Sequence, residues 1–360
     1  MGQINRSWPR TEPVSKKVIL SAAIFLIIAI AGLTYVKWWP YYLKAIHAAA
    51  EHTIGSSIVS GKNQAAPDPS WQSAWDYAKA YYNSVWKAAI LGILLGSLLQ
   101  VLIPSRWLLK ALGKASFGST LVGGAASIPG MMCTCCAAPI AIGLRKKNAS
   151  VGAALAFWLG NPTINPATLV FMTFVLSWKF TAIRLVFGLL LTFGVSYFAN
   201  RFASSQTLPE QVAAAPEKVE QEEHSAPLLV RWMKAIGSML LHVVPAYFIA
   251  VLVLGACRAW LFPAIGETAS NNVLLILLFA IAGMLFVIPT AAEIPIIQTM
   301  LSFGLGTGPA AALLLTLPSI SLPSILMIRK SFPHKVLLFV VVSVVALGTL
   351  SGLAGVLFLS

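Results

Sequence analysis

Three cysteines fall within four residues, Cys133, Cys135 and Cys136, in the segment PGMMCTCCAAP at 129–139. Thiolates bind soft metals and metalloids such as Cu(I), Zn and trivalent arsenic. Cys133 and Cys136 also have the CxxC spacing of thiol–disulfide chemistry. A buried cysteine by itself packs as a small hydrophobe, which is the reading for Cys257, alone in an apolar segment. Three thiols beside a proline break favour a binding cluster over simple packing, and all three are candidate metal ligands. A disulfide between the adjacent Cys135 and Cys136 would be strained and is not expected. Glu293, in PTAAEIP at 289–295, is the one acid within any apolar segment. An acid at the centre of a membrane helix costs on the order of 3 kcal/mol, so it usually lines a cavity or a proton path. Desolvation favours the protonated carboxyl, which suits a proton carrier. The alternative is a structural hydrogen bond with Gln298. Asn161, Thr163 and Asn165 in NPTINP, with Thr290, Ser319 and Ser321, place polar side chains at further proline breaks and are candidate substrate contacts. His242 is a weaker candidate for proton transfer. Arg184 and Arg258 are expected to snorkel to the membrane surface.

These residues sit in a chain that is 58% hydrophobic and 10% charged. Its mean hydropathy is +0.81. A soluble domain carries about 25% charged residues. The composition therefore excludes a soluble enzyme, a disordered chain and a collagen-like fibre, and it points to an all-α polytopic membrane protein. The net charge is +14, but the bases lie in short patches beside apolar runs: Arg106/Lys110/Lys114, Arg145–Lys147 and Arg329–Lys330. That is the placement of cytoplasmic loops near anionic lipid. No aromatic stripe alternates with them, so nucleic acid is not an expected partner. Four cysteines are too few and too clustered for a secreted disulfide framework.

Residues 1–17 are polar and basic and read as a cytoplasmic N-terminus. Val18–Val36 is a first span of 19 nearly charge-free residues, too long for a signal peptide and followed by no cleavage site. Residues 37–84 read as a periplasmic loop that opens on an interfacial Lys37-Trp38-Trp39. Repeat 1 covers 85–203. It contains a span at Trp86–Ile103, an amphipathic interfacial stretch at Pro104–Ala115, apolar Gly118–Leu144 broken at Pro129-Gly130, Ser150–Leu176 broken at NPTINP, and the span Phe180–Ala199. Residues 204–227, with five glutamates among Ala, Gln and Pro, read as a flexible cytoplasmic linker. Repeat 2 covers 228–360, with apolar segments at Lys234–Phe262, Asn272–Ser302, Gly308–Ile328 and Lys335–Leu359. Pro139, Gly152 and Pro162 recur as Pro295, Gly308 and Pro318, each 156 residues later, and NPTINP recurs loosely as LPSISLP. Three matches in one register indicate an internal repeat.

Two topologies follow. If all nine apolar segments span, with the N-terminus inside, Lys and Arg divide 13 inside and 12 outside. If Gly118–Leu144 and Asn272–Ser302 are re-entrant or broken hairpins, the division is 17 inside and 8 outside, in better accord with the positive-inside rule. Each half then has three spans and a hairpin. An odd number of crossings inverts one half relative to the other, as in many secondary transporters. The C-terminus then lies in the periplasm. Broken helices expose N–H and C=O groups only where protein or water covers them, so a midplane cavity at the breaks is expected. The repeat offset places Glu293 opposite Ala137, beside Cys136, so thiols and acid approach one cavity from opposite halves.

The run from Pro129 to Met172, together with TAAEIPIIQTM and TLPSISLPS, resembles the ArsP-like predicted-permease family over essentially the whole chain. The resemblance implies a permease, and ArsP members are similar to efflux pumps for trivalent organoarsenicals. The family's Cys-Ser-Cys-Gly before a proline aligns with Cys133, Thr134, Cys135 and Cys136 before Pro139, with Cys136 at the glycine position. Its second-half Cys-Ser followed by an acid appears here as Thr290-Ala291-Ala292-Glu293, which keeps the acid and lacks the thiol. An arsenical site needing a thiol from each half is therefore incomplete here.

The expectation is a permease of the bacterial inner membrane exporting a soft metal(loid) or thiol-reactive small molecule, with Glu293 coupling protons. Two alternatives stay open: a membrane thiol–disulfide oxidoreductase, and a non-transporting sensing or assembly subunit. The expected partners are that substrate and the lipid bilayer, with homo-oligomer formation left open. Neither GxxxxGK[ST] nor a helix-opening GxGxxG occurs, and no cofactor is implied. Energy must come from an ion gradient or from substrate binding. The hairpin topology predicts that Lys146→Cys, in a chain otherwise free of cysteine, is blocked to an impermeant maleimide added outside intact cells. Labelling from outside would make Gly118–Leu144 a span.

Overall fold

The computed structural model describes residues 16–60, 66–203, 227–262 and 271–359. Regular structure among them is helical, and five helices are long and apolar enough to cross a membrane. Residues 1–15, the linker expected at 204–227 apart from Pro227, and the side chain of His242 lie outside the described residues.

The first helix does not end where its apolar run ends. Helix α1 (Lys16–Leu33) passes through a π-helical turn, Thr34–Trp38, into α2 (Trp39–Glu51). The apolar rod therefore covers Ile19–Glu51, 33 residues, in place of Val18–Val36. Pro40 suggests a stop in the sequence. The chain nevertheless continues as helix through Pro40, with the π-helical turn standing directly before it. Helix α3 runs from Trp71 to Leu102, well before the expected start at Trp86, because Ser70 caps it by accepting from Ser73 N at 3.0 Å. The expected loop at 37–84 thus gives most of its length to helix.

A short helix α4 (Ser105–Leu112) occupies the amphipathic stretch. The segment expected to be broken at Pro129-Gly130 is a hairpin. Helix α5 (Phe117–Ser127) ends in a 3₁₀ turn, Ile128–Gly130, and a left-handed Met131 (φ 47°). Helix α6 (Thr134–Lys146) then runs back. Helix α7 (Val151–Thr163) follows. Gly123 packs on Ala153 and Ser127 on Gly160, so α5 and α7 run in the same direction. A Cβ on Gly123 would stand 2.2 Å from Ala153 O, which is why the two helices need glycine there. Ser150 N donates to Leu112 O at 2.7 Å, bringing the chain back to the end from which α5 set out.

The first half closes with α8 (Pro166–Val175), α9 (Trp178–Leu189), a second π-turn (Leu190–Val195) and α10 (Ser196–Ala203). The second half contains α11 (Leu228–Ala256), α12 (Arg258–Leu261), α13 (Val273–Leu285), α14 (Glu293–Ser302), α15 (Thr307–Ser319), α16 (Leu322–Ile328) and α17 (His334–Leu359). Helices α7 and α15 each have 13 residues, and both ends are displaced by 156. The rods Trp178–Ala203 and His334–Leu359 each have 26 residues with the same displacement. The register of prolines and glycines is therefore also a register of helix boundaries. The chemistry repeats with it. Asn165 and Ser321, 156 apart, each cap the helix after a break. Asn165 Oδ1 accepts from Ala167 N and Thr168 N at 3.1 and 3.3 Å, and Ser321 Oγ accepts from Ser324 N at 3.4 Å.

Candidate functional site at the meeting of the broken helices

Helices α7 and α15 end inside the protein, and their last carbonyls lack helical donors. Pro318 removes the N–H that would reach Leu314 O, and the chain leaves α7 after Thr163. Arg184, from α9, supplies the missing donors. Its Nη2 donates to Pro162 O at 2.7 Å, its Nη1 to Leu314 O at 3.1 Å and its Nε to Thr163 O at 3.4 Å. A cation at two helix C-termini also opposes both dipoles. Nη1 donates in addition to Glu293 Oε1 at 2.7 Å, and both side chains are 1% exposed. Arg184 therefore does not snorkel, because the membrane surface offers no comparable set of acceptors. Gln298 is not the partner of Glu293 either, since its Nε2 donates to His52 O at 3.0 Å.

The thiols divide into two groups. Cys133, still extended at the N-cap of α6, donates to Cys136 Sγ at 3.0 Å. Cys135 lies 3.7 Å from Ser321 Oγ and within hydrogen-bonding reach of Tyr81 and Tyr247, whose hydroxyls also bond each other. Successive helical residues point about 100° apart, so Cys135 and Cys136 face different neighbours. No group of three His, Cys, Asp or Glu placed to hold a metal forms among the described residues. The expected three-thiolate arrangement of Cys133, Cys135 and Cys136 is replaced by a thiol pair and a separate thiol. The thiol helix sits directly on α3, where a Cβ on Gly92 would stand 2.2 Å from Cys136 O.

Cys133, Thr168, Thr290, Glu293, Pro318 and Ser321 line a cavity of about 10 Å³ at this meeting point. That is room for roughly one water. Glu293 Oε2, buried in the same place, has no hydrogen-bond partner among the described residues. The other expected residues support the site from behind. Asn161 Oδ1 accepts from Met132 N at 3.3 Å and fixes the first tip. Thr163 bonds Leu159 O and Thr192 at 2.6 and 2.8 Å, and Ser319 bonds Leu315 O.

Sequence reasoning missed the contribution of the first helix. Lys37 is not at the interface. It is 5% exposed, and its Nζ donates to Tyr41 Oη at 3.0 Å and Thr290 Oγ1 at 3.2 Å. Trp38 Nε1 donates to Pro129 O at 2.8 Å. The π-turn thus fastens the first helix to the tip of the first hairpin and to Thr290, in the turn between α13 and α14; such turns often occur at functional sites. Arg258 is also buried. It donates to Ser73 Oγ and Ile58 O at 3.2 and 3.4 Å and lies over the Tyr77 ring, where Ser73 and a loop carbonyl offer acceptors inside the protein.

Several helices long and apolar enough to cross a membrane mark a multi-pass membrane protein, and the chain belongs to the ArsP_1 family of predicted permeases, which matches residues 70–355. It is 50% identical over 336 residues to UPF0718 protein YraQ of Escherichia coli (strain K12), covering 93% of this chain and 95% of that one. It is 23% identical over 290 residues to UPF0718 protein MJ0584 of Methanocaldococcus jannaschii, covering 63% of this chain and 79% of that one. No solved structure matches.

Removing one member of a buried pair leaves the other charge uncompensated, at about 3–5 kcal/mol. Glu293→Met is expected to lower the melting temperature in detergent by that much stability in the parent chain, and to cost far less in an Arg184→Met background, where no buried cation is left uncompensated and the carbonyls of Pro162, Thr163 and Leu314 are already unmet. Additive losses would show that the two charges are not coupled.

Proposed function

We propose that this permease is a secondary transporter of the bacterial inner membrane. It exports a soft metal(loid) or thiol-reactive small molecule through the cavity between the broken helices. The observation that carries the reading is that Cys133 from one half and Glu293 from the other line the same cavity. Cys133 and Cys136 take the soft centre. Each thiol sulfur that binds it loses its proton. The unpartnered Oε2 of Glu293 receives the proton of Cys133, and that of Cys136 leaves with a ligand displaced from the soft centre or through water. Protonation cancels the charge that holds Arg184, and Arg184 is the link between the ends of α7 and α15. Substrate binding is thereby coupled to proton uptake and to the freedom of the two half-helices to part.

Inverted halves are supported by contacts at the far end of the molecule. Arg145, closing the first hairpin, donates from Nε to Ser331 O at 3.3 Å and lies over the Phe332 ring. This brings the start of α7 beside the end of α16, as two opposed crossings require. The Arg145-Lys146-Lys147 and Arg329-Lys330 patches then share one face, the cytoplasmic one by the positive-inside rule. The N-terminus falls on that side and the C-terminus in the periplasm.

The test is flux in proteoliposomes under an imposed proton gradient, without nucleotide, against a panel of trivalent arsenicals, Cu(I) and Zn. Glu293→Gln keeps the shape and loses the proton site. It is expected to reduce flux about 100-fold or more, the range of general acid–base effects. Unchanged flux would remove Glu293 from the mechanism, and absent flux of every panel member in the parent chain would contradict the substrate class.

A further inference from the structure

A second, much larger cavity of about 700 Å³ adjoins the site, sharing Pro289, Thr290 and Ala291 with it. That volume suits a small-molecule ligand. Its wall carries three cations, Lys37, Lys44 and Arg258, and no carboxylate lies among its described lining residues. Two of these cations are buried, Lys37 at 5% and Arg258 at 6% exposure. Among the described residues Lys37 has only neutral hydroxyls as hydrogen-bond partners, and it interacts electrostatically with Cys133 and Cys136 beyond Thr290. Among the described residues the buried Nε of Arg258 has no hydrogen-bond partner. Asp76 acts on Arg258 electrostatically, but it does not line the cavity, and its carboxylate accepts from Gln72 at 2.9 and 3.0 Å. A buried cation without a counter-ion is unfavourable in an apo protein. Two buried cations and the half-buried Lys44 facing one space make sense when the counter-ion is a ligand.

We infer that this cavity is an anion-binding vestibule, and that the substrate is a small anion whose charge meets Lys37, Lys44 and Arg258 while its soft centre faces Cys133. The inference rests on the permease reading and names the substrate class for it. The geometry gives Lys37 a specific part. It is the cation at the inner end of the vestibule, bonded to the Thr290 that both cavities share, and so it passes the anion between the thiol pair and the wide space. The serines of the 56–60 segment and Ser84 offer neutral donors along the way. Lys37 and Lys44 come from the helix that precedes the family-matched range of 70–355, so this part of the charge is supplied by the N-terminal helix.

The experiment reads the sign of the charge directly. Ser84→Cys places a reporter thiol on the vestibule wall of a chain otherwise free of cysteine. The protein is reacted with two methanethiosulfonates of similar size, the anionic sulfonatoethyl and the cationic trimethylammonioethyl reagent. In each case the thiolate sulfur attacks the reagent's sulfenyl sulfur, forming a mixed disulfide and releasing methanesulfinate. The anionic-to-cationic rate ratio is expected to exceed that of a free thiol by about 10-fold or more, the lower end of electrostatic focusing in a charged cleft. Lys37→Met with Lys44→Met should return it to the free-thiol value. If the cysteine-free chain does not fold, the same ratio is read from the label that Ser84→Cys adds to the parent chain. Lys37→Met alone should raise the melting temperature, since it removes an uncompensated buried charge; a merely structural lysine would lower it. A ratio equal to that of the free thiol in folded protein overturns the inference and leaves the permease reading intact. An anion-selective vestibule in a protein that moves nothing would leave the inference standing and overturn the permease reading.

Discussion

Arg184 answers acceptors that two separate breaks leave without donors: the carbonyls of Pro162 and Thr163 on one half-helix, Leu314 on the other, and the carboxylate of Glu293. In a membrane protein, carbonyls freed by proline must be met inside the protein, because lipid offers nothing. A single planar cation with five donors can serve several at once. Once it does, the end of α7, the end of α15 and the start of α14 are fixed to one another. The positions of Cys133, Thr290 and Ser321 around the small cavity follow from that junction. Neutralising Glu293 would loosen the junction at the centre without disturbing the outer helices, which are held by apolar packing.

Much of this was legible in the sequence because it is local. Apolar runs, prolines inside them and a repeat of 156 residues each sit in a short window, and the helix boundaries obey that repeat. The break at Pro129-Gly130 and the polar residues at NPTINP could be read as cavity-forming because a freed carbonyl demands cover. The pairing of Glu293 with Arg184 was not legible. The partners are 109 residues apart, and an arginine in an apolar segment looks like one that snorkels until its acceptors are known. The division of the thiols was equally hidden, since it depends on α6 beginning at Thr134, with Cys133 outside the helix and Cys135 inside it.

The first helix shows why a local rule can fail. Lys37-Trp38-Trp39-Pro40 has every mark of a helix end at a membrane interface. A π-turn absorbs Pro40, carries the helix on to Glu51 and turns Lys37 and Trp38 inward. The helix then touches the first hairpin tip, through the carbonyl of Pro129, and the turn between α13 and α14, through Thr290. It thus completes a site whose other members all lie within the family-matched range.

The central claim is that tips from the two halves meet at one site, and a cross-link tests it most directly. Cys135 Sγ lies 3.7 Å from Ser321 Oγ, across the two halves. In a chain with Cys133, Cys136 and Cys257 replaced by serine and a protease site in the 204–227 linker, Ser321→Cys is oxidised mildly and the linker is cut. The structure predicts that the halves stay joined on a denaturing gel and separate on reduction. Halves that separate without reduction, although both thiols label after denaturation, would contradict a shared site.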